Sequence, residues 1–260
     1  MSKLIIANNQ DGIFSLTINR PEKKNALTHE MYSSLDEGFK MAAQDSRVRV
    51  VLVQGAGDNF TSGNDLKEFA GWGSSNMPIE ALPAARFIKS VVGFNKPVVA
   101  AVRGAAVGIG TTLLLHCDVV VAGNSAVFNL PFVKLGLVPE FGSSMLLPLL
   151  AGRVRASQAL LLGEPFDAGV AYNMGIVSVL CDDDRVETEA LEKCRQLAAL
   201  PPETVQQIKG LINTAAYRRQ LFSVIDEELT LFAAGLTSAE HREAILAFFE
   251  KRAPNFSDSC

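Results

Sequence analysis

The chain has 260 residues, 48% of them hydrophobic, and 28 acidic against 24 basic side chains give a formal net charge of −4. That is ample apolar material for a core, and the acidic balance argues against a broad nucleic-acid surface. No apolar run is long enough to cross a bilayer, so no membrane partner is expected.

In chain order, Ile5-Ile6, the alternating Phe14, Leu16 and Ile18, and the run 48–53 read as strands. Between the last two, residues 28–43 read as a helix capped by Thr28, with Met31, Leu35 and Phe39 recurring every four residues on its inner face. Residues 68–83 carry Gly71, Gly73, Ser74, Ser75, Asn76, Pro78 and Pro83, the pattern of a mobile loop or a short irregular helix. The runs 98–102, 119–122 and 177–180 read as further strands. From Pro201 the pattern is helical: Pro201-Pro202-Glu203 opens a helix, and Leu229, Phe232, Ile245 and Phe248 mark apolar faces.

Two glycine-bracketed segments stand at strand ends: Ser62-Gly63-Asn64-Asp65-Leu66 after 48–53, and Gly104-Ala105-Ala106-Val107-Gly108-Ile109-Gly110 after 98–102. Small residues there leave backbone N–H groups exposed, and one donor from each loop would make an oxyanion hole. Close helix packing is the competing reading of the second segment. The spacing of Gly104, Gly108 and Gly110 does not match the dinucleotide fingerprint.

Other chemistry-bearing residues read as structural. Cys117, Cys181, Cys194 and Cys260 show neither zinc-ligand nor Cys-x-x-Cys spacing, so no metal is expected. Cys117 and His116 sit in an apolar stretch and read as core, His29 and His241 as solvated, and Asp182-Asp183-Asp184 as a solvated turn. Glu140, after Pro139, reads by itself as a first-turn helix acid favoured by the helix dipole. The start Met1-Ser2-Lys3-Leu4 lacks a signal-peptide pattern and Asp258-Ser259-Cys260 is not a peroxisomal address, so a reducing cytoplasm is the expected compartment.

Taken together, Ile18-Asn19-Arg20-Pro21-Glu22-Lys23-Lys24-Asn25-Ala26-Leu27, Phe60 through Leu66, Val102-Arg103-Gly104 through Gly110 with Cys117-Asp118, and Phe249-Glu250-Lys251-Arg252 resemble the enoyl-CoA hydratase/isomerase (crotonase) superfamily over nearly the whole chain. The likeness is greatest to the peroxisomal-type Δ3,Δ2-enoyl-CoA isomerases. It implies an α/β fold: a spiral of ββα units over residues 1–200, then a C-terminal helical region over 201–260 that builds trimers or dimers of trimers.

The resemblance also assigns roles. The substrate is an acyl-CoA thioester, with coenzyme A part of the substrate and no separate cofactor. The oxyanion donors are the backbone N–H groups of Asn64 and Ile109, the latter replacing a family glycine. Contacts to the substrate fall to Lys24, Ala26, Leu27, Ser62, Gly63, Asn64, Asp65 and Leu66, which clamp the adenine and pantetheine of coenzyme A largely by backbone, and to Gly108, with Phe232 and Lys251 reaching the adenine and 3′-phosphate of a neighbouring subunit. Phe132, Trp72 and the segments around them line the acyl chain. Hydratases of the family use two glutamates, at the positions of Thr112 and Phe132 here, and neither residue can exchange a proton in the required range. Glu140 matches the isomerases' catalytic glutamate. The implied reaction is a 1,3-proton shift from 3-enoyl-CoA to 2-enoyl-CoA. A hydratase drawing a second acid from Asp65 or Glu68, a ring-type acyl-CoA isomerase and a non-catalytic CoA-binding protein are the alternatives.

Overall fold

The structure is a computed structural model that describes residues 2–69, 71 and 78–257. Nine strands are present among them: β1 (Ile5–Gln10), β2 (Ile13–Ile18), β3 (Val50–Gly55), β4 (Val98–Val102), β5 (Ala105–Val107), β6 (Val119–Gly123), β7 (Val127–Asn129), β8 (Phe166–Asp167) and β9 (Val179–Cys181). Six form one sheet in the order β1-β2-β3-β4-β6-β9, antiparallel at β1/β2 and parallel elsewhere. The other three form a small sheet, β5-β7-β8, beside it. Each strand read from the sequence is present, 48–53 as β3 and 177–180 as β9, each displaced by a residue or two toward the C terminus.

The helices are α1 (His29–Gln44), α2 (Leu66–Phe69), α3 (Pro83–Val92), α4 (Ile109–Thr112), α5 (Ser143–Ala151), α6 (Arg153–Leu162), α7 (Ala168–Asn173), α8 (Val186–Ala198), α9 (Pro202–Ile212), α10 (Ala215–Leu236) and α11 (Ala239–Glu250). Thr28 caps α1 by accepting from the Met31 N–H at 3.3 Å, and Met31, Leu35 and Phe39 are buried.

Period-two alternation in the parallel strands serves both faces of the large sheet. Val50, Leu52, Val99, Ala101 and Val121 turn to one face, where α8 lays down Val186, Ala190 and Cys194 at four-residue spacing. Val51, Val53, Val98, Ala100 and Val102 turn to the other, against α1, α3 and the helices beyond. Leu221, Ile225, Leu229, Phe232 and Leu236 of α10 belong to that same larger core. No described helix is long and apolar enough to cross a membrane.

Several expectations are corrected. His241 is not solvated: it is 4% exposed, its Nδ1–H donates to the Leu135 carbonyl at 2.7 Å, and its ring stands edge-on to Phe69. Phe248 is 55% exposed, because α11 turns His241, Ala244 and Ala247 inward instead. Asp183 is not merely a solvated turn residue, since its carboxylate accepts from the N–H and hydroxyl of Ser125. Within 68–83, α2 and a helical turn at Ile79–Ala81 lead into α3. Trp72 lies outside the described residues.

Candidate active site

The two glycine segments lie side by side. Thr61 N–H donates to Ala105 O (2.9 Å) and Val107 N–H to Thr61 O (3.0 Å), a parallel bridge beyond the ends of β3 and β4. Two glycines let the segments approach. A Cβ on Gly63 (φ +84°) would stand 2.7 Å from Val107 O, and one on Gly110 would stand 2.6 Å from Thr61 Cγ2. Close packing and donor presentation, the two readings of the sequence, are therefore parts of one device.

That device leaves two N–H groups unspent. Leu27 straddles Asn64, donating to Gly63 O (2.8 Å) and accepting from Asp65 N–H (2.9 Å), so the Asn64 N–H between them is bypassed. Ile109 opens α4, where a helix has no internal acceptor for its N–H. Neither N–H enters a hydrogen bond among the described residues. Gly108, by contrast, spends its N–H on Asn129 O at 2.8 Å.

Asn64 and Ile109 both line a cavity of about 730 Å³. Ala26, Ser62, Gly63, Asn64, Asp65, Leu66, Gly108, Ile109, Phe132 and Phe232 line it, as do Arg20 and Lys23, which the sequence reading did not single out. Two expected contacts are placed elsewhere: Leu27 is buried behind the Asn64 segment, and Lys24 is exposed in a left-handed turn (φ 49°). Phe232, expected at the nucleotide of a neighbouring subunit, instead lines the cavity of its own chain with Phe248 and Phe249 and is 5% exposed, while Lys251 follows the end of α11. Arg20 reads as part of the first loop in sequence, but its partner is 45 residues away: Nη1 meets Asp65 Oδ2 at 2.7 Å. Burial pushes the Asp65 carboxyl up, yet Arg20 and the Lys67 and Glu68 N–H groups outweigh it and hold Asp65 below the usual carboxylate range. Glu68 is tied too, accepting from the His29 N–H at 2.8 Å.

Beyond Asn64, Ile109 and Phe232 the cavity narrows into an apolar chamber of about 30 Å³ walled by Leu82, Ala84, Ala85, Ile88 and Leu229. Glu140 lies here, 7% exposed. It is not in the first turn of a helix, since α5 begins only at Ser143; the helix-dipole reading is corrected accordingly. Glu140 Oε1 accepts from Thr112 Oγ1 at 2.5 Å. Burial pushes the Glu140 carboxyl up to about 8, with the Thr112 bond opposing the rise and the Glu228 carboxylate adding to it. Tyr32, fully buried, donates its hydroxyl to Asn64 Oδ1 at 2.5 Å. Burial first, and the nearby Glu140 second, raise its phenol well above the ordinary value, so it stays protonated.

Tyr32 escaped the sequence reading because it falls on the same inward face of α1 as Met31 and Leu35. His116 is structural as expected: burial lowers it to about 4, so the neutral ring donates Nε2–H to Phe141 O at 2.7 Å and stacks on the Phe141 ring. Among the described residues no group of His, Cys, Asp and Glu is arranged to hold a metal ion.

A buried carboxyl poised near neutrality, facing two unspent N–H donors across an apolar chamber, can move protons beside a carbonyl whose negative charge the donors hold. Comparisons with known proteins place the chain in a family. Residues 8–259 match the family model described as enoyl-CoA hydratase/isomerase. The chain is 35% identical over 261 residues to the 1,2-epoxyphenylacetyl-CoA isomerase of Escherichia coli K12, covering 99% of each. It is 36% identical to enoyl-CoA delta isomerase 2 of Rattus norvegicus over 96% of this chain, spanning 64% of that longer protein. The crystal structure of an enoyl-CoA hydratase/isomerase from Pseudoalteromonas atlantica T6c superposes with a TM-score of 0.92 at 40% identity, covering 98% of this chain and 100% of that one. The chain thus belongs to the enoyl-CoA hydratase/isomerase family and carries the crotonase fold.

Proposed function

We propose that the protein converts a 3-enoyl-CoA to the 2-enoyl isomer through a single base, Glu140. The observation that carries this reading is the pairing of Glu140 with Thr112: among the described residues the chamber holds one carboxyl able to exchange protons, and the residue beside it is a hydroxyl donor. Phe132, at the family's other acid position, lines the larger cavity with an apolar ring.

The Glu140 carboxylate takes a proton from C2, the C2–H electron pair forms a C1=C2 bond as the carbonyl π pair moves onto the thioester oxygen, and the resulting dienolate keeps its C3=C4 bond in conjugation. The Asn64 and Ile109 N–H groups hold that oxygen. The oxygen pair then re-forms the carbonyl, the C1=C2 pair shifts to C2=C3, the C3=C4 pair takes the proton from Glu140 at C4, and no water is consumed. Tyr32, by fixing the Asn64 side chain, stiffens the strand that presents one donor. Arg20 and Lys23 offer positive charge at the cavity mouth for the phosphates of coenzyme A, with Lys24 and, from a neighbouring subunit, Lys251 adding to it, while Phe232 walls the acyl end of its own chain's cavity. Coenzyme A arrives as part of the substrate and no other cofactor takes part. A homotrimer or dimer of trimers accords with the exposed apolar side chains Val154, Leu161, Leu211 and Ile212, and a reducing cytoplasm with the free thiols of Cys117, Cys181 and Cys194.

One further reading has specific support: a ring-bearing acyl-CoA as substrate, favoured by the match to the Escherichia coli isomerase along the full length of both chains. Hydration is disfavoured, because Asp65 and Glu68, the two candidates for a second acid, are tied to Arg20 and to the α1 N terminus. Turnover of 3-hexenoyl-CoA, followed as conjugated 2-enoyl thioester absorbance, tests the proposal. A wild type that binds this ester without turning it over moves the assignment to ring-containing acyl-CoAs.

The ionised form of Glu140 is the base, so kcat/KM is expected to rise with pH and level off above about 8. Thr112→Val removes the bond that lowers the Glu140 carboxyl, so the rising limb is expected to move to higher pH, as a rate profile of the two proteins will show.

A further inference from the structure

Only Phe141 and Gly142 separate Glu140 from α5, and both are left-handed, at φ 63° and 72°. Phe141 is a bulky residue in that region, a conformation that persists only when its surroundings impose it. Two of those surroundings are local to the core: His116 holds the Phe141 carbonyl and ring, and the Glu140 carbonyl accepts from Ser143 N–H (3.1 Å) and Oγ–H (2.6 Å).

The third is remote. Gly142, the N-cap of α5, has no side chain to cap with, and the donors left open are met from α10. Glu228 Oε2 accepts from Gly142 N–H at 2.6 Å, and its Oε1 accepts from Ser144 N–H at 2.9 Å and Ser144 Oγ–H at 2.5 Å. Glu228 is 5% exposed and lies 86 residues from Gly142 along the chain. A carboxylate with three donors at a helix N terminus is in favourable company, and these bonds are of the strong, charge-assisted kind. α10 is the same helix whose Leu229 and Phe232 wall the chamber, so one rigid element shapes the chamber and holds the loop of its base.

We propose that Glu228 is the positioning residue of the Glu140 loop, a buried carboxylate that ties Gly142 and Ser144 to α10, fixes where Glu140 points and sets a negative charge behind it. This rests on the reading of Glu140 as the base. The charged and titratable groups around the pair are few. Thr112 from α4 and Tyr32 from α1 face Glu140, His116 beside Phe141 is neutral, Glu227 neighbours Glu228 on α10, and Asp226 is engaged by Lys89 of α3 at 3.2 Å. Among the described residues no cation lies within ion-pair distance of either Glu140 or Glu228. Burial raises the Glu228 carboxyl and its three donors oppose the rise, while its charge in turn raises Glu140.

Glu228→Gln keeps the shape and one acceptor while deleting the charge. Two readouts separate positioning from simple stability: the pH profile of kcat/KM, and a carbon-13 NMR titration of labelled glutamate with the Glu140 signal assigned by its loss in Glu140→Gln. Both are expected to show the Glu140 titration moved down by about 0.5–1 pH unit. At the plateau kcat should fall about tenfold with KM nearly unchanged. Wild-type kcat together with an unmoved titration overturns the proposal, and so does a fall in kcat with the titration unmoved. If Glu228→Gln does not fold, Glu228→Asp decides: it keeps the charge and shortens the reach. A lowered kcat with a wild-type titration supports the proposal, and wild-type kcat overturns it. The NMR titration needs no turnover. A protein that isomerises nothing yet shows the shift therefore refutes the role of Glu140 as base and leaves the tie through Glu228 standing.

Discussion

Glu140→Gln is expected to lower kcat for 3-hexenoyl-CoA by about a thousandfold, within the range that a positioned general base contributes, with KM changed little. The amide keeps the size of the side chain and can still take the Thr112 hydroxyl bond at Oε1, so the chamber and the oxyanion donors should persist. What disappears is the only described carboxyl lining that chamber. Because the buried carboxyl is held at about 8, replacing it with a neutral amide also removes a group that was costly to ionise, and the variant should be no less stable than the wild type. Thermal unfolding beside the kinetics checks this: a variant that loses activity and stability together has lost its fold rather than its base.

Gly63→Ala should have the second largest effect. The residue has φ +84°, and an added Cβ would stand 2.7 Å from the Val107 carbonyl, the backbone of the other glycine segment. The Val107 backbone, held by its N–H bond to Thr61 O, cannot swing aside as a flexible side chain can, so the Asn64 segment must move. The expected loss is about a hundredfold in kcat/KM from a misplaced oxyanion donor. Left-handed strain should add a stability cost of about 1–3 kcal/mol. Steady-state kinetics and urea unfolding measure the two separately. Retained activity would mean that the Asn64 N–H does not hold the substrate oxygen.

What could be read from sequence follows from how local each signal is. The Thr28 cap and the Met31, Leu35, Phe39 stripe lie within one helix, and the β-branched runs lie within single strands; short-range chemistry determines them, and they appear where the patterns put them. The glycine segments were legible as a pair, but the pattern does not say which N–H groups are spent. The Gly108 N–H is used by Asn129, and only the register with β7 shows it. Glu140 was visible through resemblance alone, because no periodicity distinguishes a loop acid after proline from a helix-start acid.

The partners of Glu140 were out of reach for a different reason. Thr112, Glu228 and Tyr32 come from three other helices, and their contacts span 28 to 86 residues of chain in the bonds that define the site. His241 shows the same limit in reverse: it sits among charged residues of α11, yet the packing of that helix on Leu135 buries it.

The most direct test of a one-base mechanism follows the proton itself. A 3-enoyl-CoA dideuterated at C2 is converted in ordinary water in a rapid single turnover, and the C4 position of the product is examined by mass spectrometry. The account predicts deuterium at C4 in the wild type, carried there by Glu140, and neither product nor transfer in Glu140→Gln. Product bearing only solvent hydrogen at C4, formed at the same rate with Glu140→Gln, would contradict it.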